Sequence, residues 1–252
     1  LDRGCTQKVR IVYYTLTSKT RRPAKNTMTN ANPLPSSASG WFLSSSARVR
    51  YSTGALAYFA QGIPMGLLHI ALPAWLASKG VAASEIASFL GIIMLPWAFK
   101  LLVGPLMDHF EFLPMGKRRP WVLGAQFGMV VSLLALGLLD DPVAQIGLLT
   151  GIGFLINTFT ATQDVAVDGM SIDLVPVEQE GRLNAFMSFG KSIGWAVTSA
   201  VTGTLLVTVG IKVTALVCGL GAAAVFIYLV MVRERHSERL LPWTRGEASP
   251  KN

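Results

Sequence analysis

Charge is scarce in this chain. Only 14% of its 252 residues are Asp, Glu, Lys or Arg, against about 25% in an ordinary soluble domain. Cysteine is nearly absent. Cys5 lies in a polar stretch and Cys218 in an apolar run, which excludes a disulfide framework and a thiolate metal site. The three histidines, His69, His109 and His236, are scattered and add no metal-ligand spacing. No HExxH pattern occurs, and no G-x-S-x-G motif is expected, so neither a zinc protease nor a hydrolase is anticipated. No apolar run precedes residue 50, so a cleaved secretory signal is not expected in this stretch. Ala185–Ser192 nearly spells a phosphate-binding loop, but Ala185 stands where the first glycine belongs. The stretch also lies in an apolar segment rather than after a strand, so nucleotide hydrolysis is not expected. No catalytic residue, metal or cofactor is expected, and the chain does not read as an enzyme.

Apolar length is what the sequence has. Hydrophobic residues make up 51% of it. They gather into six segments near Thr53–Ala77, Ile86–Met107, Trp121–Leu139, Val143–Ala166, Leu183–Val209 and Ile211–Val232. Each is long enough to cross about 30 Å of hydrocarbon at about 1.5 Å per residue. In lipid the backbone must satisfy its own polar groups, so these segments are expected to be helices. The expected fold class is an all-α membrane protein, a six-transmembrane-helix bundle over 51–232. Residues 1–50 read as a disordered basic tail, and 233–252 as the start of a cytoplasmic loop. The chain begins at Leu1 and its first methionine is Met28, which admits residues 1–27 as sequence outside the native protein. Pro64, Pro73, Pro96 and Pro105 predict kinks. Gly190, Gly194 and Gly203 predict a close helix approach. Trp75, Trp97, Trp121, Trp195 and the tyrosines read as interfacial anchors or packing.

The net charge of +8 would suit nucleic acid, but its placement suits a lipid bilayer. Nine Lys/Arg lie in 1–50, three in 108–120, one in 167–182 and five after 232, against Lys79 and Lys212 alone on the other side. That asymmetry predicts both termini in the cytoplasm. Lys100 and Lys191 fall within helices.

Two polar stretches stand out. In Asn157–Pro176, the residues Asn157, Asp164 and Asp168 are spaced 7 and 4 apart, so a helix puts them on one face; Gln163 lies beside them. Lys100, Asp164 and Lys191 fall at similar depth, about 8–12 Å inside the cytoplasmic boundary. Buried charges are best satisfied in one cluster facing a common cavity. Lys100, Asn157, Gln163, Asp164, Asp168 and Lys191 are therefore the candidate substrate and ion pathway, with Asp164 expected to couple a proton. The second stretch pairs Gly104 and Asp108 with Gly116, Lys117, Arg118 and Arg119. It is a candidate conformational switch, in which the glycine admits a neighbouring helix and the Asp caps that helix or pairs with an Arg.

The second stretch resembles the helix 2–3 signature of the major facilitator superfamily, G-x-x-x-D-R-x-G-R-[RK]. His109 takes the usual Arg slot, and Phe110–Met115 lengthens the spacer. Leu95–Asp108, Ala161–Pro176 and Glu238–Ser249 are similar to its AmpG-like muropeptide permease and acetyl-CoA transporter branch, which tends to a longer loop here. In helix five the branch's expected Arg is replaced by Lys191, displaced by one position. The resemblance implies the N-terminal half of a twelve-helix fold, with a missing C-terminal six-helix half as partner. A half that works as a dimer is the other option. It implies a secondary active, proton-coupled transporter of a bulky anionic organic solute in the bacterial inner membrane. The alternative is a non-transporting sensor or scaffold on the same bundle.

Overall fold

The computed structural model describes residues 41–110, 113–236 and 238–244. The expectations for 1–40, and for 245–252 of the C-terminal segment, lie outside the described residues. Among the described residues there are six helical runs. We label them α1 (Ala47–Ser78), α2 (Ala83–His109), α3 (Arg119–Leu138), α4 (Ile146–Leu174), α5 (Val177–Thr208) and α6 (Gly210–Met231). Four of them, α1, α2, α3 and α6, are long and apolar enough to cross a membrane. α4 and α5, of 29 and 32 residues, are long enough but carry the polar stretches.

The boundaries depart from expectation at two places. α1 begins at Ala47, with Ser46 accepting from the Val49 amide. Phe42 bridges Arg233, and the Leu43 amide donates to the Arg233 carbonyl at 2.9 Å. Residues 41–50 therefore pack on the bundle rather than join a disordered tail. The expected loop 167–182 shrinks to Val175 and Pro176, because α4 runs on to Leu174 and α5 starts at Val177. Val175, held extended by the following proline, ends α4 (ψ 128°). Asp168 is thereby a helical residue.

The prolines act as local faults rather than simple kinks. α1 continues helical through Pro64 but widens to a π turn at Leu67–Ala71, just before Pro73. Such turns re-register a ladder around a missing donor. α2 breaks at Phe99, between Pro96 and Pro105.

α1 and α5 meet backbone to backbone. A Cβ on Gly62 would lie 2.7 Å from the Lys191 carbonyl oxygen, and one on Gly66 2.7 Å from the Ser199 nitrogen. Gly190 and Gly194 are pressed as closely against Ala55 and Phe59. Gly203, expected in the same role, faces open space. The apolar core is built from Leu67, Leu68 and Leu72 of α1, Phe89 and Ile93 of α2, Met129 and Leu133 of α3, and Leu149 and Ile156 of α4. Leu101, Leu102, Leu138 and Val207 stand largely exposed, as suits side chains facing lipid.

Candidate functional site

α4 supplies the centre. Asn157, Asp164 and Asp168 do share a face, and it turns toward α1, α2 and α5. Asp164 is only 3% exposed. Lys100 of α2 reaches its Oδ2 at 2.9 Å, and Lys191 of α5 its Oδ1 at 3.5 Å. Lys100 sits immediately after the break at Phe99, and Lys191 is held beside α1 by Gly190 and Gly194. One buried carboxylate thus carries two ammonium groups.

Aromatic rings close the cage. The Lys191 ammonium lies 5.1 Å from the Trp97 ring centre and 5.3 Å from that of Tyr58. The Lys100 ammonium lies 5.7 Å from Trp97. These are cation–π distances, which hold a cation while leaving it open to an anion. Trp97 Nε1–H donates to Asn157 Oδ1 at 2.9 Å, and Asn157 in turn donates to the Gly153 carbonyl. The Tyr58 hydroxyl donates to Asp168 Oδ1. A cavity of about 390 Å³ opens on Asp168 and Tyr58, with Ser171, Glu180 and Asn184 on its walls.

Gln163 does not join this cage. One residue is a 100° turn of the helix, which sends it into the core. There its amide donates to Gln126, which donates to the Ala222 carbonyl of α6 at 2.9 Å. Trp97 and Tyr58, read as anchors or packing, line this cage. Periodicity could not reveal them, since they come from other helices. Against the expectation of no hydrolase motif, Gly190-Lys191-Ser192-Ile193-Gly194 does spell the nucleophile-elbow pattern G-x-S-x-G. It lies within continuous helix with Ser192 exposed, lacking the strand-to-helix turn that pattern needs.

A second cluster lies at the α2–α3 end. Arg118 Nη2 meets Asp108 Oδ1 at 2.6 Å, and Arg118 Nε meets Asp173 Oδ2 at 3.5 Å. Lys117 lies 3.8 Å from Asp108 and 3.9 Å from Asp173. The cluster ties α2 and α4 to the start of α3. Among the described residues Gly104 has only Val165 near it, at 3.9 Å from a Cβ placed there, so no described helix packs closely there. Gly116 has φ +104°, and a Cβ on it would lie 2.6 Å from the Glu234 carboxyl carbon. Glu234 accepts from the amides of Lys117 and Arg118 at 3.1 Å and of Arg119 at 2.7 Å, capping α3. Burial pushes its carboxyl above the ordinary value, the Glu238 charge adds to this, and the three amides partly offset it. Arg119, expected among the switch residues, is buried and donates to the Val230 and Arg239 carbonyls. It fastens the segment after α6 to α3.

The sequence matches the family model described as Major Facilitator Superfamily over residues 54–252. An "Anhydromuropeptide permease" of Escherichia coli K12 is 29% identical over 143 residues, which cover 57% of this chain and 29% of that protein. A "Putative transporter AmpG 4" of Rickettsia felis is 29% identical over 186 residues, 71% of this chain and 44% of that protein. An "Uncharacterized protein" of Haemophilus influenzae is 33% identical over 123 residues, 49% of this chain and 28% of that protein. The chain therefore aligns to well under two thirds of the length of these curated relatives.

Proposed function

The chain belongs to the Major Facilitator Superfamily, and we propose that it forms the N-terminal six-helix half of a secondary transporter for a bulky anionic organic solute. It is an integral membrane protein that resembles the AmpG permeases. The observation that carries the proposal is the pairing of Lys100 and Lys191 on one buried carboxylate, with Trp97 beside both. Ionisable groups inside a membrane bundle usually mark a solute or ion pathway. A flat aromatic ring beside two cations suits a solute with both a ring face and negative groups. Lys100 and Lys191 bind those groups, and the matching half supplies the other wall, since such sites straddle the two repeats. The name of the E. coli relative makes an anhydromuropeptide the first solute to try. Protons drive uptake, the membrane is the bacterial inner membrane, and both termini are cytoplasmic. Gly104 and Asp108 act as the switch by meeting the other half in one state of the cycle.

Uptake of a labelled anhydromuropeptide into proteoliposomes, with protein made from the complete reading frame, tests this. A pH gradient should drive accumulation, and the double change Lys100→Gln with Lys191→Gln should abolish it while the protein still folds. Binding without flux would favour a sensor, and full uptake by the double variant would remove the lysines from the site.

A further inference from the structure

Two aspartates face the cage, and the structure treats them differently. Asp164 is dry and held by two ammonium groups. Taking up a proton would strip both lysines of the one carboxylate they touch, a costly state for poorly solvated charges. Asp168 lies one helical turn nearer the α4–α5 junction, and it opens on the 390 Å³ cavity. The group bonded to it is the Tyr58 hydroxyl, neutral and able to keep a bond to either form of the carboxyl. The charged groups that act on it are Lys100 from α2, Asp164 from α4 and Lys191 from α5. Glu180 from α5 shares its cavity wall.

We infer that Asp168, rather than Asp164, carries the proton, and that its protonation is what admits an anionic solute. The inference rests on the proton-driven reading above. With both lysines and both aspartates ionised, the cage is neutral. A proton passes from cavity water to Asp168 Oδ2, Tyr58 keeps its own proton and its bond to Oδ1, and the cage becomes singly positive. An anion then meets a surplus cation, and by linkage each of proton and anion raises the affinity for the other. Release to the other side discharges both together. Asp164 positions the lysines.

Calorimetric titration with an anhydromuropeptide, in buffers of differing ionisation enthalpy, reads this out on protein from the complete reading frame. The parent should take up about one proton per solute bound, with its Kd rising up to about tenfold per pH unit above the carrier's titration point. Asp168→Asn, which fixes the neutral form, should bind with no proton uptake and a flat pH dependence. It should exchange solute across liposomes yet fail to accumulate it on a pH gradient. Tyr58→Phe should still accumulate solute, but with a displaced pH profile, since only the carboxyl's hydrogen-bond partner is gone. Proton uptake and accumulation that persist in Asp168→Asn overturn the assignment and leave the transporter reading standing. A parent that binds solute with no proton uptake overturns the proton-driven reading itself, and this inference with it.

Discussion

Replacing Asp164 by Asn keeps the shape of the side chain and removes the charge that two lysines share. Each lysine–carboxylate contact, at 2.9 and 3.5 Å, represents about 5–6 kcal/mol of gross attraction at an effective dielectric of about 20. Breaking a fully buried pair costs about 3–5 kcal/mol net. Here the Lys100 and Lys191 side chains remain 37% and 26% exposed, so water recovers part of that. A net loss of about 2–4 kcal/mol follows after discounting for screening. At about 2–4 °C per kcal/mol for a chain of this size, the melting temperature should fall by about 4–15 °C. Thermal unfolding in detergent, followed by tryptophan emission, measures it. Adding Lys100→Gln or Lys191→Gln to Asp164→Asn removes one of the two cations that lost this carboxylate. Each double variant should therefore melt above the Asn single variant, with a coupling energy of about 1–3 kcal/mol. An Asp164→Asn protein that melts within about 1 °C of the parent would show that neither lysine depends on Asp164, and the cage would be a surface arrangement.

Three further outcomes follow from the ends of the bundle. Glu234→Ala strands three amides at the start of α3; offset by the relief of a buried carboxyl, the loss should be about 2 kcal/mol, and an unchanged melting temperature would refute the cap. The folded protein holds the Glu234 proton more tightly than the unfolded chain does. Its contribution is therefore complete below about 4.5 and is lost as pH rises through the higher folded value. The melting temperature of the parent relative to Glu234→Gln should accordingly fall as pH climbs from 4.5, and a rise would contradict the burial argument. For orientation, Ser78→Cys and Glu178→Cys in a cysteine-free background, both exposed positions, should differ toward an impermeant maleimide. Ser78→Cys should react from outside and Glu178→Cys only after permeabilisation; the reverse would invert the topology.

The helical runs were legible because apolar length and the demand for internal hydrogen bonding leave a membrane segment little choice. The Asn157–Asp164–Asp168 face was legible because a 7 and 4 spacing survives any choice of neighbour. Its surroundings were not. Whether Tyr58 or Trp97 meets that face depends on the rotation of α1 and α2 about their own axes. The glycine contacts between α1 and α5 and the break at Phe99 set that rotation, and neither leaves a period in the sequence. Gln163 bonds Gln126 and not the cage because adjacency in sequence is not adjacency on a helix. The place of Arg119 was not legible because a basic loop looks alike whether its guanidinium is solvated or forked between the Val230 and Arg239 carbonyls. The polar run 167–182 looked like a loop, but its charges decorate helices that continue past the apolar stretch.

The stoichiometry of the cage bears on why it is built this way. A structural ion pair needs one cation for one carboxylate, and Asp164 has two. If a solute draws one lysine away, the other still compensates Asp164, so the dry carboxylate is never left alone in the bundle. The surplus cation in turn needs a counter-charge while the site is empty, and Asp168, one turn along the same face and bonded to Tyr58, is placed to supply it. On this reading the two aspartates are not redundant. Asp164 fixes where the lysines are, and Asp168 fixes when their charge is available.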